Sequence, residues 1–354
     1  MGTSRYGGTD VDEAQVIQLH ADPPAGLLRR TRQLGTRPVP GPGQPAASIH
    51  TLSTAPAAEP AEPGEPGEPA VESPADPSAA AVAHLPWEHR FAGALSFLRR
   101  RLEGDYRVDE FGFDRDLTEN AVLPVFKPLY QNWFRVEVNG VENIPAEGGA
   151  LLVANHAGGL WALDAAMTAV AVHVEHPAGR FLRMLGADLI FGTPGLGALA
   201  RKTGSTLACA DDAERLLRSG ELVGVWPEGF KGIGKPFRER YKLQRFGRGG
   251  FVHAAIKAGV PIIPVSIVGS EEIHPVIGNS KLLARMLALP YFPITPTFPW
   301  LGPLGLVPLP SKWYIEFGAP IHTEDVDPEA AEDAAAVFDL ADRVRETIQS
   351  SLYR

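Results

Sequence analysis

Apolar positions along this chain change period several times, and each change predicts an element. Phe91, Leu95, Leu98 and Leu102 recur at three- and four-residue spacing beside Arg99, Arg100 and Arg101, which predicts an amphipathic, basic helix starting near Trp87. Residues 134–138 alternate as a half-buried strand does and run into the turn signal Asn139-Gly140. Residues 150–154 are a short continuous apolar run, as in a strand covered on both faces, and 161–172 read as the helix after it. Strand character returns at 221–226, 262–268 and 312–317, with helical stretches at 209–218, 247–258 and 328–352. The order predicts an α/β fold with a mixed, mostly buried sheet flanked by helices. In such folds ligands sit beyond the carboxyl ends of strands, and His156 and Glu228 both fall just past predicted strand ends.

Two stretches follow other rules. Residues 54–82 form a Pro/Ala/Glu tract with loose Gly-Glu-Pro repetition, which cannot bury enough apolar surface to offset its ordering entropy. The chain therefore divides into a disordered, low-complexity tail over 1–85, a helical segment over 86–132 and the α/β domain with a C-terminal helix over 133–354. Residues 286–310 are uncharged after Met286 and strongly apolar, yet Pro290, Pro293, Pro296, Pro299, Pro303, Pro308 and Pro310 forbid a continuous membrane-spanning helix there. That stretch is either an apolar loop that dips into a membrane interface or lines an acyl channel, or a buried crossover.

The formal charge of −9 misleads as a guide to partners. Glu59, Glu62, Glu65, Glu68, Glu72 and Asp76 lie in the tract that has no Lys or Arg, and the remainder is close to neutral. A single cysteine, Cys209, excludes an intrachain disulfide and a cysteine-based zinc site and fits a reducing cytoplasm. Met1 to His20 lacks the basic-then-apolar order of a secretory signal, so export is not expected. No metal and no nucleic-acid partner are expected.

The candidate chemistry sits in three segments. His156 ends one apolar run, and Asp164 stands just inside the next periodic segment, where a general base and its orienting carboxylate would be found. Pro227-Glu228-Gly229 follows an apolar run, and a carboxylate there is costly unless paired or hydrogen-bonded. Lys231, Lys235, Arg238, Arg240, Lys242, Arg245 and Arg248, against Glu239 alone, form the most basic part of the chain. They suit phosphates of an acyl carrier, a headgroup or anionic lipid, or else a solvated surface.

In this order the segments resemble those of the glycerolipid and lysophospholipid acyltransferase superfamily. Its Asn-His motif with an orienting aspartate is similar to Asn155, His156 and Asp164; its glycine-basic motif to Gly197, Arg201 and Lys202. Its Pro-Glu-Gly is similar to Pro227, Glu228 and Gly229, followed here by Lys231, and its proline-bearing apolar strand to Ile262-Ile263-Pro264-Val265. The resemblance implies an O-acyltransferase that uses acyl-coenzyme A or acyl carrier protein as co-substrate, with no further cofactor, to acylate a glycerolipid or lysophospholipid hydroxyl. His156 is then the base, Asp164 its orienter, and Asn155, Gly197, Arg201, Lys202, Pro227, Glu228, Gly229 and Lys231 bind substrate. Such a protein is expected in the cytoplasm, peripherally bound to the inner face of the cell membrane.

Two departures bear on that reading. The family has four residues between His and Asp, whereas here position 161 is Trp and the first carboxylate after His156 comes three residues late. On a straight helix that shift is about 4.5 Å. Gly158-Gly159 can loop and restore the contact; otherwise Asp164 merely caps a helix or faces solvent. The family's Thr-Arg after Pro-Glu-Gly is replaced by Phe230-Lys231, exchanging a bidentate phosphate ligand for a point charge. The alternative is a lipid-binding member of the fold that has lost turnover. A dinucleotide reading of Gly195-Leu196-Gly197-Ala198-Leu199-Ala200 lacks the strand–turn–helix context it needs, and no G-x-S-x-G elbow of an esterase occurs.

Overall fold

The computed structural model describes residues 87–354 apart from Gly158, Arg248 and Ala288, with the backbone alone at 87–90 and Leu160. The expectation of a disordered tail over 1–85 lies outside those residues. Nine strands are present among them: β1 (Glu137–Asn139), β2 (Ala150–Ala154), β3 (Leu182–Gly186), β4 (Thr206–Leu207), β5 (Leu222–Val225), β6 (Ile262–Val268), β7 (Gly278–Asn279), β8 (Pro293–Ile294) and β9 (Tyr314–Phe317). Seven form one sheet in the order β1-β9-β6-β2-β5-β3-β4. It is mixed: β6 and β9 run antiparallel, and β2 lies parallel between β5 and β6. Short β7 and β8 pair separately.

Five longer helices are used below: α1 (Trp87–Glu103), α2 (Leu163–Glu175), α3 (Ala210–Arg218), α4 (Gly250–Ala258) and α5 (Ala334–Ser351). They explain why β2 reads as unbroken apolar sequence. Side chains alternate across a strand, so Ala150, Leu152 and Ala154 pack with Met167, Val170 and Ala171 of α2. Leu151 and Val153 pack on the other face with Leu216 and Leu217 of α3, Val252 and Ile256 of α4, and Val344 and Ile348 of α5. Each fully buried aliphatic side chain contributes about 1.5–3 kcal/mol.

The segment before the sheet belongs to the same core. Arg115–Trp133 is helical, with wide π turns at Thr118–Val122 and Leu129–Trp133 around a short α stretch where Pro124 and Pro128 each lack an N–H donor. Its Leu123 and Tyr130 are buried with the β2 and α2 residues. The strand expected from 134 begins only at Glu137, because Arg135 takes a left-handed φ of 46°. Phe134 turns inward instead and stacks on Trp313 with ring centroids 4.5 Å apart. β3 went unpredicted because Arg183 interrupts its apolar run. That guanidinium is nonetheless buried, 2.7 Å from Asp109 and 4.8 Å from the Phe113 ring centroid.

The amphipathic period of α1 does not say which edge faces inward. Its basic edge faces the protein: Arg101 meets Asp114 at 2.6 Å, and Arg100 meets Asp116 at 2.6 Å. Phe91, Leu95, Leu98 and Leu102 are left exposed on the outer side. The 286–310 stretch is neither wholly buried nor wholly open. Tyr291 and Thr295 are buried, while Leu287, Trp300, Leu301 and Leu304 are exposed. No helix among the described residues is long and apolar enough to cross a membrane.

Candidate active site

Parallel pairing brings the carboxyl ends of β2 and β5 side by side, with Val153 opposite Val225. His156 and Glu228 therefore emerge together, and Glu228 Oε1 accepts the His156 backbone N–H at 2.9 Å. Asn155 closes the other side of β2. Its side-chain amide donates to the Ile267 carbonyl at 2.9 Å and accepts the Ile267 N–H at 2.7 Å, so it substitutes for one rung of the ladder to β6. The Asn155 side chain, expected at the substrate, is fully buried and both of its polar groups are occupied by β6. Truncating it strands a buried N–H and a buried carbonyl, so Asn155→Ala should destabilise the fold by about 2–3 kcal/mol in chemical denaturation.

The late carboxylate does reach the histidine. After His156 the chain passes a 3₁₀ turn at Gly159–Trp161 and enters α2 through Ala162, whose φ of 47° is left-handed for a residue with a Cβ. That turn absorbs the three extra residues. Asp164 Oδ2 lies 2.6 Å from His156 Nδ1 and also accepts the Ala157 N–H at 2.9 Å. Burial works to raise the Asp164 pKa, but the His156 charge, the bond to its ring and the Ala157 N–H together hold the carboxyl below its ordinary range. An ionised carboxylate only accepts, so Nδ1 carries the proton and Nε2 is the nitrogen left to receive one. The His156 side chain keeps 14% of its surface exposed, beside the ring of Trp226.

Glu228, also expected at the substrate, is bonded within the protein. Its second oxygen accepts the Gln244 N–H at 2.6 Å and lies 3.8 Å from Lys235 Nζ, and the side chain is fully buried. Lys235 was counted among the surface cations, yet it is buried and bonds Glu271 at 3.0 Å. Burial pushes the Glu271 carboxyl above its ordinary range even though Lys235 pulls it down. This charged knot supports the loop that carries His156. Gly232 completes it, because a Cβ there would lie 2.6 Å from the His156 carbonyl oxygen.

The other expected site residues are dispersed. Pro227 is half-buried and Gly229 turns the chain with a φ of 55° into the short helix Phe230–Ile233. Lys231 is exposed on that helix, as are Arg238, Arg240, Lys242 and Arg245 farther on; Arg248 lies outside the described residues. Gly197 packs closely on the preceding helix, since its Cβ position falls 2.5 Å from the Phe191 carbonyl oxygen. Arg201 covers the Phe191 ring at 4.8 Å, and exposed Lys202 offers its carbonyl to the Asp114 N–H at 3.0 Å. The helix Leu196–Lys202 follows another helix, Asp188–Gly192, and not a strand, which disposes of the dinucleotide motif.

Residues 135–268 match the Acyltransferase family. An uncharacterized protein of Mycobacterium tuberculosis is 59% identical over 263 residues, which is 74% of this chain and 73% of that protein. The chain belongs to the Acyltransferase family. The human DGAT1/2-independent enzyme synthesizing storage lipids is 25% identical over 224 residues, 62% of this chain and 66% of that enzyme. The crystal structure of the 1-acyl-sn-glycerophosphate acyltransferase PlsC from Thermotoga maritima matches with a TM-score of 0.44 and 19% identity, covering 75% of this chain and 96% of that one. In this acyltransferase the histidine and aspartate stand eight positions apart and still share a short hydrogen bond. Sequence reasoning missed Glu271, and it read Lys235 only as one of the basic residues after Pro-Glu-Gly, because nothing local marks it as buried.

Proposed function

We propose that this acyltransferase moves a fatty acyl group from acyl-coenzyme A or acyl carrier protein to a hydroxyl of a glycerolipid or lysophospholipid, with His156 as general base. The observation that carries the reading is the 2.6 Å contact of His156 Nδ1 with Asp164 on a ring that remains partly exposed. The acceptor hydroxyl gives its proton to Nε2 as its oxygen attacks the thioester carbonyl. The new C–O bond forms, the C–S bond breaks, and the imidazolium returns the proton to the leaving sulfur. Asp164 holds the tautomer and stabilises the transient imidazolium. No covalent acyl-enzyme and no further cofactor enter. The exposed cations from Lys231 to Arg245 suit the phosphates of the donor.

The acceptor is lipid, and the protein works at the inner face of the cell membrane. Two observations support this. Trp161, three residues before Asp164, donates its indole N–H to the Leu306 carbonyl at 3.3 Å, tying the exposed apolar turn of Trp300, Leu301 and Leu304 to the site. α1 turns its apolar stripe outward. Trp300→Ser with Leu304→Ser should weaken sedimentation with phosphatidylglycerol vesicles by about tenfold or more, without lowering turnover of a short-chain soluble acceptor. Equal vesicle binding by variant and parent would remove this face from the membrane.

The activity test is product formation by the purified protein from acyl-coenzyme A or acyl carrier protein. Lysophosphatidic acid and monoacylglycerol are compared in parallel by mass spectrometry. The storage-lipid relative makes the neutral acceptor worth including, as does Lys231 in place of a bidentate arginine. Lipid binding without product under all donor and acceptor pairs would leave a non-catalytic binder.

A further inference from the structure

Asp164 reaches His156 only because the chain between them follows an unfavourable path. Gly159 and Ala162 both take left-handed backbone angles, with φ of 61° and 47°, and the bond that closes the turn, Ala162 N–H to the Gly159 carbonyl, is long at 3.2 Å. A turn of this kind keeps its shape only where its surroundings over-determine it.

Two side chains hold it, and they converge on one atom. The Leu306 carbonyl accepts the Trp161 indole N–H at 3.3 Å and lies 3.1 Å from His274 Nε2. A ring nitrogen facing a carbonyl must donate, so Nδ1 of His274 is the bare nitrogen. Burial lowers the His274 pKa and keeps the ring in this neutral form. The ring also packs on Gly159, where a Cβ would fall 2.4 Å from Nδ1. His274 thus holds the start of the turn by packing, and Trp161 holds its end by a hydrogen bond.

Their shared acceptor is itself anchored. The Leu309 N–H donates to the Ile273 carbonyl at 2.9 Å, which joins the segment carrying Leu306 to the one carrying His274. Glu271, three residues before His274, accepts the Tyr241 N–H at 2.8 Å and bonds Lys235 at 3.0 Å. Lys235 in turn lies 3.8 Å from Glu228, which receives the His156 N–H. Residues 271–274 therefore support His156 through the charged knot and Asp164 through the turn.

We propose that His274 and Trp161 are positioning residues for the catalytic pair, locking the turn that carries Asp164 to His156 onto the Leu306 carbonyl. Their consequence for turnover rests on His156 being the base, as proposed above.

Trp161→Phe in the full chain removes one donor. His274→Asn removes the other, because its amide matches Nδ1 and falls short of Leu306, whereas His274→Gln keeps a donor at the Nε2 position. Each loss variant is expected to lower kcat about threefold with KM for acyl-coenzyme A unchanged, and His274→Gln should recover most of the His274→Asn loss. Leu306 keeps one donor in either single variant and none in the double, so the double should lose about thirtyfold or more, beyond the product of the two. Proton NMR of protein labelled with ¹⁵N-histidine gives a readout independent of turnover. The far-downfield Nδ1 proton of His156, assigned by its loss in His156→Ala, should shift in Trp161→Phe and broaden in the double variant. An unmoved resonance, kcat losses that simply multiply, or His274→Gln as slow as His274→Asn would overturn the assignment. Trp161 is 54% exposed, so Trp161→Phe keeps the fold, and its resonance decides the matter alone if His274→Asn does not fold. If no acceptor is turned over by the parent protein, the acyl-transfer reading fails, and the resonance still decides the role of these two residues.

Discussion

His156→Ala is expected to lower kcat/KM for acyl transfer by about 10³–10⁴ while the protein remains folded, since its backbone N–H still reaches Glu228. Asp164→Asn should lose about 10²–10⁴, for a different reason. An amide in that position has an oxygen that accepts and a nitrogen that donates. If the nitrogen turns toward His156, it forces Nδ1 to accept and moves the imidazole proton to Nε2, where a base must have none. The measurement is initial velocity with the best acceptor, beside circular dichroism of each variant. A fully folded His156→Ala protein with parental turnover would sink the general-base mechanism.

Lys235→Met should be the most destabilising single change near the site, about 3–5 kcal/mol in urea denaturation. The cause is not the ion pair alone. Glu228 and Glu271 are both buried, and removing Lys235 leaves two buried carboxylates without their counter-charge. The sign of the pH dependence follows. With Lys235 gone, Glu271 binds its proton more tightly in the folded state than in the unfolded chain. The variant's deficit is therefore largest at neutral pH and shrinks as pH falls toward the raised folded pKa of Glu271. Lys235→Met combined with Glu271→Gln should recover part of the loss, since one buried charge is removed with its partner. A deficit below about 1 kcal/mol would mean that the knot is hydrated and that Glu228 holds His156 without help from Lys235.

The two effects are linked through one loop. Glu228 receives the His156 N–H, and Gly232 lets the segment after Pro-Glu-Gly lie against the His156 carbonyl. The residues that read as a substrate site from their motif thus mainly build the platform on which the base stands.

Much of the frame was legible from local pattern. The continuous apolar run of β2 requires burial on both faces, and the periodic stretches behind α2, α3, α4 and α5 supply the two layers that bury it. β6 was read with its full range for the same reason. β3 was not, because Arg183 looks polar along the chain, and only Asp109 and the aromatic ring of Phe113, distant in sequence, make its burial tolerable. The helical period of α1 was plain, but which edge faced inward depended on Asp114 and Asp116, which the period does not encode.

The sequence by itself determined the residue types at the ends of β2 and β5, and with them a histidine, a carboxylate and a Pro-Glu-Gly turn at the carboxyl edge of a parallel pair. Whether His156 and Asp164 meet across their long spacing was decided only by the tertiary structure, through the 3₁₀ turn and the left-handed Ala162 that shorten the path. So was the inward turn of Asn155, Glu228 and Lys235. A polar side chain has the same formula in water and in a core. What assigns its role is which unpaired backbone group or opposite charge the fold brings within hydrogen-bond distance, and that depends on contacts made across long stretches of chain.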